Sequence, residues 1–466
     1  MKTRYGHKVY PLTKAQKLHF FTLAHCEKKQ VLNIGTSLTI EQDLDFDTLK
    51  EAIYQAYDRC ESMRLRFAKD KDGTLYQYIA DQEERDIEYY DFTGWQECHV
   101  EDKLKEWTQV PFQRCDSPMN RIVMIVMPDG FQGVYLLVDH MTMDAQALIL
   151  FLKDVIEIYC HMKYEGIDYP KEMSSYIEQL EKDLAYEAGT SAKLRDEKFF
   201  QDMIKSSEPI FCGLRGKQKL IEEGKSSKNP HLRAATTATG NVDANITVFH
   251  LEAEPSMKLL EFCEKYQTSM VCLLMMGLRT YLQKENDIDD VSINTTVARR
   301  ATLAEKKCGG TRIHSFPFRT MIGREATFLE GLKKIRHGQN QIFRHANFDP
   351  VAYFGIRKET YPMEANQTYE PISLTYQPMT LKDKGLDRLG DIRYKSAWYT
   401  NGAAAQALYL TVMHRAEDNG LDFNFEYQTG AVTYEDLEYV YYYLCRIMFA
   451  GVEQPERTVK EIIKMV

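Results

Sequence analysis

The first third of the chain alternates between helical and strand-like patterns of hydrophobic residues. Residues 14–23 are predicted to form a helix and residues 31–40 a strand. A second helix is predicted next, because Leu49, Ile53 and Tyr57 recur at the spacing of one helical face. This succession of elements predicts an α/β fold.

Two β-hairpins are predicted further along the chain. Segments 67–79 and 121–138 each contain an Asp-Gly dipeptide between strand-like residues, a combination typical of tight turns. The second hairpin leads into LILFLKDVIEIY, whose apolar residues share one helical face from Leu148 onward. The chain therefore passes from a buried strand into a helix at residues 140–145, a type of junction that often presents functional side chains.

The second half of the chain repeats the alternation. Helices are predicted at 259–266, 270–282 and 434–449, and strands at 246–251, 291–297, 313–318, 372–376, 407–414 and 421–427. A chain of 466 residues also exceeds the length at which one hydrophobic core normally stops growing. We therefore predict an N-terminal lobe over 1–180, connecting helices and a polar linker over 181–243, and a C-terminal lobe over 244–466.

Composition excludes several classes of protein. With 44% hydrophobic and 27% charged residues, the chain is expected to fold into globular domains. Its net charge of -9 argues against a general nucleic-acid binder, which usually needs a basic face. No apolar run reaches the roughly 18 residues that span a bilayer, and the first residues lack the apolar stretch of a signal peptide. We expect no membrane partner and a cytoplasmic location.

The cysteines do not indicate a disulfide framework or a metal site. Ten cysteines are scattered along the chain without a C-x-x-C pair, a pattern that fits reduced structural thiols. No zinc-type spacing of cysteine with histidine is present either. We therefore predict no bound metal.

The strongest candidate for chemistry is segment 139–145, DHMTMDA. His140 stands at the end of a buried strand, where an imidazole is able to act as a general base near neutral pH. On this segment alone a structural histidine is the simpler interpretation, and Asp144 is equally suited to cap the helix that follows. Other segments of the chain bear on this choice.

Several segments resemble, in order and spacing, the motifs of one protein family. Segment 12–18 (LTKAQKL) resembles S-x-A-Q-x-R-L-W, 59–67 (RCESMRLRF) resembles R-H-E-x-L-R-T-x-F, 139–145 resembles H-H-x-x-x-D-G, and 310–319 (GTRIHSFPFR) resembles G-x-F-V-N-T-L-P-L-R. Segments 345–350 and 374–377 are more loosely similar to H-Q-D-x-P-F-E and F-N-Y-Q. Together they resemble, over nearly the whole chain, a condensation domain of the nonribosomal peptide synthetases.

Departures from the family's pattern occur at positions that matter for the site. In the signature motif His140 and Asp144 match the second histidine and the aspartate, but Asp139 replaces the first histidine and Ala145 the glycine. His314 stands where asparagine is usual. The signature is therefore only partly retained.

The resemblance implies a fold, a substrate carrier and partners. The fold would consist of two chloramphenicol-acetyltransferase-like α/β sandwich lobes forming a V-shaped pseudo-dimer, with His140 near the middle of a tunnel. No bound cofactor is implied, because the phosphopantetheine arm of an acyl- or peptidyl-carrier protein, or coenzyme A, carries the substrate. Carrier proteins would act in trans on a small-molecule acceptor. Because the two lobes are fused, we expect a monomer.

The resemblance also implies a role for each site residue. His140 is the base or positioning group, and Asp144 is a structural acid expected to pair with a buried arginine such as Arg59 or Arg64, because an unpaired buried aspartate is costly. Asp139 either stabilises a protonated imidazole or points into the fold, and we favour the second because neighbouring strand residues face opposite sides.

Four residues are candidates for lining the tunnel: Asp139, Ala145, His314 and Ser315. The histidines at positions 19 and 345 are interpreted as structural or exposed.

The implied function is acyl transfer. A carrier-bound acyl or aminoacyl thioester would be joined to an amine or hydroxyl in the biosynthesis of a nonribosomal peptide or related natural product. Two alternatives stay open. One is a catalytically silent, condensation-like module that recruits a partner protein, which the replacements at Asp139 and Ala145 favour. The other is an acyl-CoA-dependent acyltransferase acting on a small alcohol or amine.

Overall fold

The computed structural model describes residues 3–81, 85–237, 240–377, 393–415 and 418–466. Its α-helices are α1 Lys14–His25, α2 Phe46–Arg59, α3 Glu97–Thr108, α4 Ala145–Lys163, α5 Tyr176–Glu187, α6 Ser191–Ser206, α7 Gln218–Ser226, α8 Ala253–Lys265, α9 Met270–Asn286, α10 Leu303–Lys306, α11 Phe328–Arg344, α12 Pro350–Thr360, α13 Tyr434–Glu453 and α14 Val459–Met465. Its strands are β1 Thr3–Arg4, β2 His7–Lys8, β3 Tyr10–Pro11, β4 Asn33–Ile40, β5 Leu65–Lys69, β6 Leu75–Ile79, β7 Glu88–Asp91, β8 Asn120–Val126, β9 Gln132–Asp139, β10 Ala235–Thr236, β11 Ala244–Leu251, β12 Asp290–Val297, β13 His314–Met321, β14 Gln367–Thr368, β15 Ser373–Gln377, β16 Tyr394–Tyr399, β17 Leu408–His414 and β18 Leu421–Gln428. The predicted α/β fold class is confirmed.

Both predicted hairpins are confirmed. Strands β5 and β6 pair antiparallel, and so do β8 and β9. In each hairpin the glycine of the Asp-Gly dipeptide, Gly73 or Gly130, has a positive φ that favours glycine.

Strand β16 was not expected from the sequence.

The chain forms two compact units. The first unit consists of the described residues of 1–190, 298–313 and 379–403, and the second of the described residues of 191–297, 314–378 and 404–466. These boundaries differ from the predicted division at 180 and 243, because two segments from the later half of the chain pack with the first unit.

The first unit is built on a five-stranded sheet with the order β16-β4-β9-β8-β7, in which only β7 and β8 are parallel. Alternate residues of these strands face opposite sides. Leu136 of β9 packs with the apolar residues of α2 and α4, whereas Tyr135 and Leu137 pack with those of α3. The first unit is therefore an α/β sandwich with helices on both faces of the sheet.

The second unit has a six-stranded sheet with the order β11-β18-β17-β15-β12-β13. Strand β15 runs parallel to both of its neighbours, and the other pairs are antiparallel. Helix α9 is buried along almost its whole length and packs against α11 and α13. The core of the second unit is formed by this helix layer and the apolar face of the sheet.

Candidate active site

The candidate site lies where β9 passes into α4. Strand β9 ends at Asp139 and α4 begins at Ala145, so His140 lies in the short connection between them. The backbone N–H of His140 donates to the carbonyl of Leu32 at 2.8 Å. Ala145 is already helical, and alanine in place of glycine therefore causes no backbone strain there.

Asp144 holds the end of this connection by two kinds of contact. Its side chain caps α4 by accepting a hydrogen bond from the backbone N–H of Ala147 at 2.9 Å. It also accepts hydrogen bonds from Nη2 of Arg300 at 2.9 and 3.0 Å and from the backbone N–H of Arg312 at 2.9 Å. Asp144 and Arg300 are both buried, so the pair is shielded from water.

The predicted pairing of Asp144 with Arg59 or Arg64 was wrong. Nε of Arg59 donates to Asp154 of α4 at 2.8 Å, and Nη1 of Arg64 donates to the carbonyl of Ala80 at 2.8 Å. The need for a buried arginine follows from the cost of burying a carboxylate. Which arginine supplies the charge depends on the packing of segment 298–313, which is distant in sequence.

Asp139 is satisfied within the fold. Its carboxylate accepts hydrogen bonds from Nε of Arg114 at 2.8 Å and from the backbone N–H of Met141 at 2.9 Å. Its side chain is fully buried and makes no hydrogen bond to His140 among the described residues. This geometry favours the interpretation in which Asp139 points into the fold.

Helix α1 supports the connection from a second direction. The side chain of Gln16 is fully buried, and its Nε2 donates to the carbonyl of Met141 at 3.3 Å and to Oε1 of Gln77 at 2.8 Å. The hydroxyl of Tyr176 donates to the same Gln77 oxygen at 2.8 Å. The glutamine of the opening motif therefore holds the backbone next to His140.

Sequence reasoning missed the closest aromatic neighbour of His140. The ring of His19, on α1, stacks on the ring of His140 with 4.0 Å between centroids and 26° between planes. Nε2 of His19 lies 3.2 Å from the hydroxyl of Thr311, and both side chains are buried. His19 directly follows the opening motif, but a single histidine on a helix carries no sequence signal of such a contact.

The pKa values of both imidazoles are lowered. Burial lowers the pKa of His140, although the charges of Asp144 and Asp139 and the backbone of residues 140 and 143 oppose that shift. Burial, and then the charge of His140, lowers the pKa of His19 well below its ordinary value. Both rings are therefore expected to be neutral near pH 7.

The imidazole of His140 has an unused polar atom. Its Nδ1 is buried and has no hydrogen-bond partner within the ranges that the structure describes. A hydrogen bond to Nδ1 therefore does not orient the ring, which is held by packing and by the backbone of residues 140 and 143.

His314 and Ser315 belong to the second unit. His314 is fully buried in β13, its Nδ1 lies 2.8 Å from the carbonyl oxygen of Ala346, and its ring packs edge-on against Phe316. Ser315 is half-buried, with its hydroxyl 3.3 Å from that of Thr296. These contacts favour a structural role for His314, and the tunnel-lining role of both residues stays a prediction.

Metal ligands and membrane-spanning helices are both absent from the described residues. No group of three or more histidine, cysteine, aspartate and glutamate side chains is arranged to hold a metal ion there. None of the helices in that part of the chain is both long and apolar enough to cross a membrane.

The sheets and the strand-to-helix junction described above form a chloramphenicol-acetyltransferase-like fold. Solved structures with this fold are similar to this chain over nearly its whole length. The first condensation domain of the calcium-dependent antibiotic synthetase, in complex with a substrate analogue, superimposes with a TM-score of 0.79 at 17% identity, covering 97% of this chain and 99% of that one. A mutant starter condensation domain of rhizomide synthetase in complex with C8-CoA gives a TM-score of 0.79 at 17% identity, covering 97% of both chains.

The Condensation domain family model matches residues 7–465, so the chain belongs to the condensation domain family. Surfactin synthase subunit 1 of Bacillus subtilis (strain 168), a curated relative, is 22% identical over 97% of this chain. The dimodular nonribosomal peptide synthase of the same organism is 22% identical over 96% of it. The chain spans only 12% and 18% of the lengths of these two relatives, so it matches one part of each much longer protein.

Proposed function

We propose that this condensation domain is an active acyltransferase. It joins a carrier-bound acyl or aminoacyl thioester to an amine or hydroxyl acceptor, in the biosynthesis of a nonribosomal peptide or a related natural product. The observation that carries the proposal is the half-buried His140, whose imidazole is kept neutral by burial at a strand-to-helix junction. A neutral imidazole is the form that accepts a proton.

The proposed acyl transfer needs only the two substrates and His140. The nitrogen or oxygen of the acceptor attacks the thioester carbonyl, a new C–N or C–O bond forms, and the C–S bond breaks. His140 takes the proton from the attacking atom and returns a proton to the leaving thiolate. Tethering of the donor raises its effective concentration, which lowers the demand on the base.

Two substrate carriers fit this proposal. Acyl- or peptidyl-carrier proteins acting in trans would present a phosphopantetheine thioester, and coenzyme A is the smaller alternative. Support for coenzyme A comes from the starter condensation domain with bound C8-CoA, which has a similar fold. The cytoplasmic location and the monomeric state stay predictions.

The alternative function is a silent module that recruits a partner protein. The replacements of the first motif histidine by Asp139 and of the glycine by Ala145 favoured it. The contacts around these residues favour an intact site, because Asp139 has its own partner in Arg114 and Ala145 is an ordinary first residue of a helix.

Transfer assays separate these functions. An acyl-loaded carrier protein, a short pantetheine thioester and an acyl-coenzyme A would each be offered with a panel of amines and alcohols. We expect product from the wild type and a loss of about 100-fold or more in the His140→Ala variant. The matched control is His25→Ala, because His25 is exposed on α1. Equal product from wild type and His140→Ala would remove His140 from the mechanism, and no turnover alongside carrier or partner binding would favour the silent module.

A further inference from the structure

The ring of His140 lacks the usual means of orientation. A catalytic imidazole is commonly oriented by a hydrogen bond to its second ring nitrogen. Nδ1 of His140 has no such bond within the described ranges, and the neighbouring carboxylate of Asp139 is engaged by Arg114. Apart from the backbone of residues 140 and 143, which also interacts with the imidazole, a packing contact is therefore needed to orient the ring.

His19 provides that contact. Its ring lies nearly parallel to that of His140, with 4.0 Å between the centroids, so it covers one face of the imidazole. His19 is itself fixed, because it lies on helix α1 and its Nε2 is 3.2 Å from the hydroxyl of Thr311. Only 7% of His19 is exposed to solvent, and the stack therefore excludes water from that face.

We propose that His19 is a positioning residue for His140: the stacked ring fixes the orientation of the His140 imidazole and keeps it unprotonated. The role of His19 in acyl transfer rests on the function proposed above, whereas its effect on the protonation of His140 does not. No covalent step passes through His19.

Two effects connect the stack to protonation. The neutral ring of His19 removes water that would otherwise solvate an imidazolium at His140, and loss of solvation disfavours the charged form. Two imidazolium ions at this separation would also repel each other, so the pair holds at most one proton near neutral pH. Burial lowers the pKa of both rings, in agreement with this picture.

Other charged groups lie around His140 on the elements next to it. They are Asp139 at the end of β9, which faces the guanidinium of Arg114, and Asp144 at the start of α4, which faces the guanidinium of Arg300 and the backbone N–H of Arg312. The charges of both carboxylates raise the pKa of His140, and each carboxylate accepts a hydrogen bond from an arginine of its own, Arg114 or Arg300. Burial works in the opposite direction, and the stacked ring of His19 is part of what buries the His140 imidazole.

The test is an NMR titration of the full chain, labelled at the histidine rings. The signal of His140 is identified by its absence in His140→Ala, and its pKa is measured between about pH 5 and 8. In His19→Ala we expect the pKa of His140 to rise by about half a unit or more. In His19→Phe the aromatic ring is retained, so we expect the pKa to stay low. His25→Ala, which changes an exposed histidine of the same helix, should leave it unchanged.

The acyl-transfer assay adds a second measurement. The acid limb of the pH profile of kcat/KM should move to higher pH in His19→Ala by the same amount as the NMR pKa. We expect His19→Phe to keep most of the activity, because its ring still covers His140. A structural role alone would change stability without moving the pH profile.

Three results would overturn the proposal. They are a pKa of His140 that is unchanged in folded His19→Ala, a pKa that falls in that variant, or a His19→Phe variant with the same shift as His19→Ala. If His19→Ala does not fold, the test is made with the His19→Phe and Thr311→Val variants. We expect the pKa of His140 to stay low in His19→Phe and to rise partly in Thr311→Val. A wild type without turnover but with the expected NMR shifts would contradict the proposed function and leave the coupling intact.

Discussion

Arg300 and Asp144 form a buried ion pair in which one guanidinium nitrogen, Nη2, lies 2.9 and 3.0 Å from the two carboxylate oxygens. The same nitrogen donates to the carbonyl of Gly310 at 3.0 Å, and the carboxylate also caps α4 at Ala147. The pair thus ties the start of α4 to segment 298–313. His140 lies four residues before the capping aspartate, so the pair also holds the connection that contains it.

Removing the arginine should therefore destabilise the first unit strongly. We expect Arg300→Met to lower the free energy of unfolding by about 3 kcal/mol, because it leaves Asp144 charged, buried and without its cation. Urea denaturation would measure the change. The control is Arg121→Met, which breaks the partly exposed pair with Glu88 and should cost about 1 kcal/mol or less. Equal losses of unfolding free energy in the two variants would show that the buried ion pair stabilises the fold no more than the partly exposed one does.

Asp139 is expected to matter for stability more than for chemistry. Asn in place of Asp139 keeps an oxygen for the backbone N–H of Met141 but removes the charge that Arg114 faces. We expect a loss of about 2 kcal/mol in urea denaturation. Since the charge of Asp139 raises the pKa of His140, that pKa should fall slightly and acyl transfer at neutral pH should persist. An inactive but folded variant would instead place Asp139 in the mechanism.

Gly310 is expected to tolerate no side chain. Its φ is +89°, and a Cβ there would lie 2.4 Å from the buried ring of Tyr176. Gly310→Ala should therefore cost about 1 kcal/mol for the backbone and a further 1–3 kcal/mol for the clash. Gly130→Ala is the matched control, because its φ is +85° and nothing lies within 4 Å of the added Cβ. Similar losses of unfolding free energy in the two variants would contradict the clash.

Glu426 should make stability depend on pH in the second unit. It lies in β18 opposite Tyr409 of β17, and burial raises its pKa from the ordinary 4.5 to about 7. The folded protein therefore holds this proton more tightly than the unfolded chain does. Stability should fall as the pH rises from 4.5 to 7 and then stay level.

Removing the ionisable group should reverse that loss. We expect Glu426→Gln to be more stable than the wild type by about 2 kcal/mol at pH 8, with a much smaller difference near pH 4.5. Urea denaturation at the two pH values measures it. Glu438→Gln, at an exposed position of α13, should change little at either pH. A Glu426→Gln variant that gains nothing at pH 8 would show that Glu426 is ionised without cost.

Local patterns in the sequence predicted many of the elements and the central residue of the candidate site. The Asp-Gly dipeptides at positions 72 and 129 give tight turns because glycine adopts a positive φ without strain, and both hairpins form there. The spacing of apolar residues located α4 and the buried strand before it, and thus placed His140 at their junction. These signals are local, so they can be read without knowledge of the fold.

Only the tertiary structure decided which distant residues meet at that junction. Strand β16 completes the sheet of the first unit by pairing with β4, Arg300 is the partner of Asp144, and His19 stacks on His140. A buried carboxylate needs a cation as its partner, and a buried ring packs against another side chain. Judged from the sequence, several arginines and several rings of the chain are equally good candidates for these two contacts. The choice among them depends on how segments far apart in the chain pack, which no local pattern encodes.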